Sequence, residues 1–246
     1  MRIFKNTYDV NKIKDDKFLA YTHLGLGDHI VCNGLLNHFS ESFSKIYLPV
    51  KSRDINNVNY LYKDNDKIHT FKIEHETEVE DIRNFAKRNN LVTLKVGFKK
   101  RKPPFNLSFY DQFDLPYNIS VEKFRVIRDE AKEDNLYKHL KDTYNTKGPY
   151  QIVHNQSSYG KVSLKTNEEL STIFIEKETD LYKNIFLYLK VIENATEIHC
   201  LDSSFLHLVE RVKTDAKLFF HNIKKDGQKG AEVHLIKNWR IINYIK

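Results

Sequence analysis

Short apolar runs alternate with amphipathic stretches along almost the whole chain, and no other feature narrows the fold as much. The runs at 17–23, 44–50, 67–73 and 91–96 are rich in aliphatic and aromatic residues and are cut off by turn residues, as buried strands are. Between them, Ile30, Val31, Leu35, Leu36 and Phe39 recur at helical spacing, and 53–62 reads as a polar helix. Val79, Ile82, Phe85 and Ala86 share one face of a further helix over 78–89. Strand, helix and strand in repeated succession predict a parallel sheet covered by helices.

The alternation lapses where Pro103, Pro104 and Pro116 interrupt it. A surface helix is expected over 128–144, and the turn-forming stretch 145–149 is the best domain boundary. The pattern then restarts. Strands are expected at 150–154, 170–176, 197–202 and 216–221, helices at 181–195 and 203–212, and a polar loop at 156–161. The expected fold is α/β, with two Rossmann-like domains, 1–145 and 146–246, facing a cleft.

Charge narrows the ligand. Forty basic residues against 33 acidic ones give a net charge of +7 over 246 residues, which suits an anionic ligand, an anionic membrane or glycan surface, or nucleic acid. The densest basic cluster is Lys99, Lys100, Arg101 and Lys102. Its lysines and arginine are not interleaved with aromatics in any nucleic-acid-binding module, so no nucleic-acid partner is expected. No apolar run approaches the ~18 residues of a membrane span, and the opening residues are too polar for a secretory signal. Cys32 and Cys200 stand in a helical and a strand pattern, as small buried residues in a reducing compartment would. A cytoplasmic location is expected.

Three turns carry candidate chemistry. In 22–36, Gly25 and Gly27 precede Asp28 and His29 where a strand becomes a helix. Glycines there admit a ligand to the backbone, and the helix start offers free N–H groups. The dinucleotide fingerprint is broken, because Ile30 occupies its third glycine position. Asp28 is a helix cap, one end of a nucleotide-binding turn, or a catalytic base. In 198–212 the geometry recurs, with Asp202, Ser203 and Ser204 opening a helix striped by Phe205, Leu208, Val209 and Val212. In 153–161, His154, Ser157, Ser158 and Lys161 follow a strand and suit a diphosphate. All three lie at carboxyl ends of expected strands, where open α/β sheets bind ligands.

Together these motifs resemble the heptosyltransferase-type glycosyltransferases, two-domain enzymes of the GT-B fold that use nucleotide-sugar donors. The resemblance makes Asp28 the catalytic base and assigns Asp202, Ser203, Ser204 and His207 to the donor diphosphate. It assigns the loop lysine to Lys161 and the ribose-binding glutamate to Glu176, with Glu178 competing. Ser204 departs from the glycine that family has there. The segment 108–118 is similar to one in small GT-B-like proteins of viral and bacterial glycan clusters.

The expected function is transfer of a sugar from a nucleotide-diphosphate sugar to a glycan or lipid-linked hydroxyl, without metal or other cofactor; the resemblance implies inversion at the anomeric carbon. Gly25 and Gly27 join the donor set; His29 and the basic cluster 99–102 are expected on the acceptor side. The rivals are a basic nucleic-acid binder and a non-catalytic sugar-nucleotide-binding protein. Asp64-Asn65-Asp66 matches the Asp-x-Asp of metal-dependent GT-A enzymes, yet it sits in an expected helix-to-strand turn, where such triplets are common. No metal is expected.

Overall fold

The structure, a computed structural model, describes residues 5–99, 104–157, 160–223 and 232–244. Lys100, Arg101, Lys102 and Ser158 lie outside the described residues. The chain divides into two compact units, Met1–Ile127 and Arg128–Lys246. Among the described residues, no helix is long and apolar enough to cross a membrane.

The first unit contains β1 (Lys5–Thr7), β2 (Lys17–Tyr21), α1 (Leu26–Phe39), β3 (Lys45–Lys51), α2 (Ile55–Leu61), β4 (Ile68–Ile73), α3 (Glu78–Asn89), β5 (Val92–Lys95), α4 (Ser108–Asp111) and α5 (Ile119–Glu122). Its sheet runs β1-β5-β2-β3-β4, all parallel. Both faces are covered. On one, Phe18 meets Phe39 of α1 edge to face at 6.2 Å. On the other, Leu19 and Ile73 pack with Ile82 and Ala86 of α3, and Phe85 joins them. Val79 was expected in that stripe but is 58% exposed. Ile30, Val31, Leu35 and Leu36 of α1 are fully buried or nearly so, each worth about 1.5–3 kcal/mol relative to exposure.

The second unit contains α6 (Glu130–Thr143), β6 (Tyr150–His154), β7 (Gln156–Ser157), β8 (Gly160–Lys161), β9 (Ser171–Phe174), α7 (Leu189–Glu193), β10 (Glu197–Cys200), α8 (Ser204–Val209), β11 (Lys217–Asn222) and β12 (Trp239–Asn243). Its parallel sheet runs β12-β11-β10-β6-β9. The expected surface helix, α6, belongs to this unit. Leu136 and Leu140 are fully buried, and buried Glu133 is held by Arg128, which also reaches Glu193. The boundary therefore falls before α6 rather than after it, at Ile127/Arg128 instead of 145/146.

Two further expectations change. In the stretch expected as a polar loop, Gln156–Ser157 (β7) pairs antiparallel with Gly160–Lys161 (β8). The expected helix 181–195 is a 3-10 turn, Ile185–Tyr188, running into α7. Cys32 and Cys200 are buried and unbridged.

Each sheet has one place where the chain reverses its direction of travel across the strands. In the first, the chain steps from β2 to β3 and β4, then returns to β5 on the other side of β2. In the second, it steps from β6 to β9, then returns to β10 on the other side of β6. Crevices at the carboxyl ends of such strand pairs are where open α/β sheets hold ligands.

Candidate functional site

At the first switch point, the turn after β2 lies beside the turn after β5. Val96 N–H donates to Tyr21 O at 2.8 Å, and the His23 ring nitrogen Nε2 meets Gly97 O at 3.2 Å. Leu24 adopts φ 64° while fully buried. A left-handed leucine is strained, and here its burial in the core offsets the strain. Gly25 then caps α1, and its N–H donates to Asp28 Oδ2 at 3.0 Å. A Cβ on residue 25 would stand 2.8 Å from that oxygen, so glycine is what lets Asp28 fold back over the helix start. The carboxylate is also favoured by the positive end of the α1 dipole.

The cap reading of Asp28 thus describes its geometry. Gly25 N–H, expected to serve a donor, is already taken. Gly27 lies in the first turn of α1. His29 was expected on the acceptor side; the structure places it in the core instead, with no exposed surface and no hydrogen-bond partner for either ring nitrogen. Burial, with Lys51 nearby, pushes its pKa down to about 3, so the ring is neutral near pH 7. Lys99 is exposed just past this turn.

Sequence reasoning missed the residues that shape this switch point. Phe98 stacks on His23 at 4.1 Å and tilts against Tyr21 at 5.1 Å. Gln112 braces the turn: its amide donates to Lys95 O at 2.6 Å and Tyr8 O at 2.9 Å, and its carbonyl accepts from Gly97 N–H at 2.8 Å. Gly97 has φ +80°, and a Cβ there would lie 2.6 Å from the Phe109 ring. The signal in the sequence was the segment 108–118, whose Gln112 and Phe109 do this work. Tyr21 donates to Glu78 Oε1 at 2.7 Å, and Lys51 pairs with the same carboxylate at 3.3 Å. Burial, then the Glu78 bond, raises the Tyr21 pKa.

At the second switch point, His154 ends β6 and Ser203 caps α8 beyond β10. Their side chains meet at 3.1 Å between Nδ1 and Oγ. Ser203 Oγ also accepts from Leu206 N–H and reaches Leu201 O. A hydroxyl has one proton, so this contact couples the helix cap to the His154 tautomer. His154 stacks on Phe205 at 5.3 Å, and burial lowers its pKa to about 4. Ser204 is the first residue of α8, which has only six residues. Asp202 is half-exposed, and His207 Nε2 lies 3.9 Å from it. Burial, with Arg211 nearby, pushes His207 to about 3. That contact therefore joins a carboxylate to a neutral ring and is no ion pair near pH 7.

Lys161 of β8 pairs with Glu176, which follows β9. The two were singled out separately in the sequence, and the fold brings them together. Tyr144 donates to Glu176 Oε2 at 3.3 Å, fixing the carboxylate from the other side. The hydrogen bond to Glu176 raises the Lys161 pKa, so the ammonium is charged. Glu178 is exposed. Ser157 pairs with Gly160 across the ribbon. Asp64 and Asp66 lie before β4, at the amino edge of the first sheet, opposite the carboxyl ends that form that sheet's switch point.

No family model and no curated protein matches the sequence. Among solved structures, the chain is similar to the crystal structure of the glycosyl transferase family 9 from Veillonella parvula DSM 2008. The TM-score is 0.57 at 9% sequence identity, over 94% of this chain and 88% of that one. At that identity the likeness is one of fold: an α/β chain with two parallel sheets.

Proposed function

We propose that the chain is a GT-B glycosyltransferase that moves a sugar from a nucleoside-diphosphate sugar to a hydroxyl of a glycan or lipid-linked acceptor. The observation that carries this reading is the unequal furnishing of the two switch points. The first presents a carboxylate, Asp28, which already fills the head of α1 and leaves little there to attract a phosphate. The second presents an uncharged cap, Ser203 with His154, and in the same unit the cation of Lys161. The fold likeness supports the same reading.

In the reaction, Asp28 takes the proton of the acceptor hydroxyl as its oxygen bonds to the anomeric carbon. The bond from that carbon to the diphosphate oxygen breaks, and the nucleoside diphosphate leaves with the electron pair, the sugar inverting at that carbon. Lys161 neutralises the growing charge, and Glu176 holds the ribose hydroxyls. The Lys161–Glu176 pair is solvent-exposed on the lysine side, so it is weak and readily exchanges for phosphate. Ser157, Ser204, Asp202 and His207 complete the donor set, and Lys99 with the cluster that follows it serves an anionic acceptor or surface. This chemistry asks no metal of the site, and it suits a cytoplasmic enzyme.

One observation favours a second reading, a non-catalytic sugar-nucleotide-binding protein: Asp28 is engaged by Gly25 N–H. Thermal-shift titration with UDP, GDP, ADP and their sugars, in the presence of a chelator, tests the shared part, since a bound ligand stabilises by mass action. Saturable stabilisation that Lys161→Ala weakens is expected. Stabilisation by oligonucleotides alone, or only with added manganese, would overturn it.

A further inference from the structure

The first unit has a cavity of about 280 Å³ lined by Asn37, Ser40, Glu41, Asp64, Asn65, Asp66, Lys67, Lys123 and Arg125. It lies between the end of α1 and the start of β4, at the amino edge of the sheet and away from the switch point. Its floor is tightly built. Asn65 donates to Asn37 Oδ1 at 2.9 Å and to Ser40 Oγ at 3.0 Å. Lys67 Nζ donates to Ser40 O at 2.7 Å, where the C-terminal end of α1 favours a cation. Lys123 Nζ holds both Glu41 oxygens at 2.6 Å.

These bonds use up most of the lining and leave a specific remainder. Among the described residues, neither Asp64 nor Asp66 has a hydrogen-bonding or ionic side-chain partner, and the Arg125 guanidinium donates to none. The remainder is two carboxylates that accept and one guanidinium that donates. The three carboxylates of the lining, Glu41, Asp64 and Asp66, balance its three cations, Lys67, Lys123 and Arg125, so the cavity selects for no net charge.

Each class of small ligand can be weighed against that remainder. A phosphate would face two unpaired carboxylates. A divalent cation would want a third anionic ligand, and Glu41 is committed to Lys123; no three metal-ligating side chains gather among the described residues. A ring of hydroxyls fits both halves. Each hydroxyl donates as well as accepts, so vicinal hydroxyls can donate to a carboxylate while a guanidinium donates to their neighbours. The cavity is somewhat smaller than the roughly 300–1,000 Å³ of sites for drug-sized ligands, which sets the occupant at about one ring.

We infer that this cavity is a binding site for one uncharged sugar ring, held by Asp64, Asp66 and Arg125. The inference does not depend on the transferase reading. It gives the Asp64-Asn65-Asp66 turn a role as a carbohydrate grip in place of a metal ligand. No aromatic side chain lines the cavity, so recognition is by hydrogen bonds and affinity is in the millimolar range typical of such few contacts, about 4 kcal/mol at 1 mM.

The test is amide-resolved NMR of the full chain titrated separately with methyl glycosides of glucose, galactose, mannose and N-acetylglucosamine. Parallel titrations use inorganic phosphate, glycine as a zwitterion, and manganese alone. At least one glycoside should move the amides of Ser40, Asn65 and Lys67 saturably. Asp64→Asn combined with Asp66→Asn should weaken that glycoside about tenfold or more. Both carboxylates are exposed and partnerless, so the double variant should keep its melting temperature, and Arg125→Gln gives an independent second variant. Absence of saturable shifts with every glycoside, unchanged affinity in the variants, or stronger response to phosphate, glycine or manganese would overturn the inference. Nucleoside-diphosphate titration of the same variants reads the second unit, so failure here and failure of the transferase reading are distinguishable.

Discussion

The two switch points share a topology and differ in chemistry. In the first unit, a fourteen-residue helix begins with a glycine cap and a carboxylate folded onto it. In the second, a six-residue helix begins with a serine cap joined to a neutral histidine. The sheets differ in the same sense. The first is clad by apolar helix faces on both sides. In the second, Tyr150 reaches Val191 of α7 and His154 stacks on Phe205 of α8, so these helices share one face. Among the described residues, the β6-to-β9 connection contains no helix, and the face on that side mixes polar side chains with Val153, Phe174 and Phe219. Gln151 bonds Thr172 there, and His199 meets His221 at 2.9 Å, which meets Tyr244 at 2.7 Å. A common topology fixes where a site can form; the residues that fill the crossovers decide what it can do.

The largest expected effect separates base from cap at the first switch point. Asp28→Asn keeps an oxygen for Gly25 N–H, so stability should stay near wild type, since Asn caps about as well as Asp. If Asp28 is the base, turnover of the donor–acceptor pair falls on the order of 10²–10⁴ with nucleoside-diphosphate affinity unchanged. Wild-type turnover in this variant would make the first switch point structural and leave only the second with chemistry.

Acid should separate the units next. His154 and His221 are held near 4 and His207 near 3, and His199 is lowered as well, against His29 near 3 in the first unit. A histidine whose folded pKa lies below its unfolded value of 6.5 adds stability above that value. The contribution is lost as pH falls towards the folded pKa, at about 1.4 kcal/mol per pH unit for each group. Amide exchange between pH 7 and 4.5 should therefore show the second unit losing protection first. Equal losses in the two units would break the comparison.

A smaller effect probes the turns. Gly97→Ala places a Cβ 2.6 Å from Phe109 at φ +80°, whereas Gly160 has φ +108° with open space around it. Alanine at 97 should cost roughly 2–3 kcal/mol by urea denaturation, and at 160 only about 1 kcal/mol, the backbone part alone. Similar costs at the two positions would remove the argument that the first switch point is the more tightly packed.

The smallest expected effect lies in the second unit's ion pair. Lys161→Ala should weaken nucleoside-diphosphate binding about tenfold, the scale of one charge-assisted hydrogen bond. Glu176→Gln should leave binding of the free diphosphate nearly unchanged and weaken nucleosides, which carry the ribose without the phosphates. Isothermal titration of both variants with a nucleoside and its diphosphate sharpens the assignment of the pair.

The sequence by itself determined the alternation of strands and helices, the two-unit organisation, and the three turns at strand ends. These are local properties: periodicity places a residue on a face, and glycine, serine and aspartate mark a helix start whatever packs around them. Tertiary structure alone decided the rest. His29 follows Asp28 directly, yet one step along a helix turns it by about 100°, here from the edge of the sheet into the core. The helix α6 reads as a surface element, but Leu136 and Leu140 are buried and Arg128 bridges Glu133 of α6 to Glu193 of α7, so α6 belongs with the second unit and the boundary lies ahead of it. Lys161 and Glu176 are fifteen residues apart, and His23 and Gly97 seventy-four. The second pair forms only when parallel strands align their carboxyl ends, and the first only when the β7–β8 ribbon also returns Lys161 towards the end of β9; sheet order and register set both, and short-range patterns do not encode them.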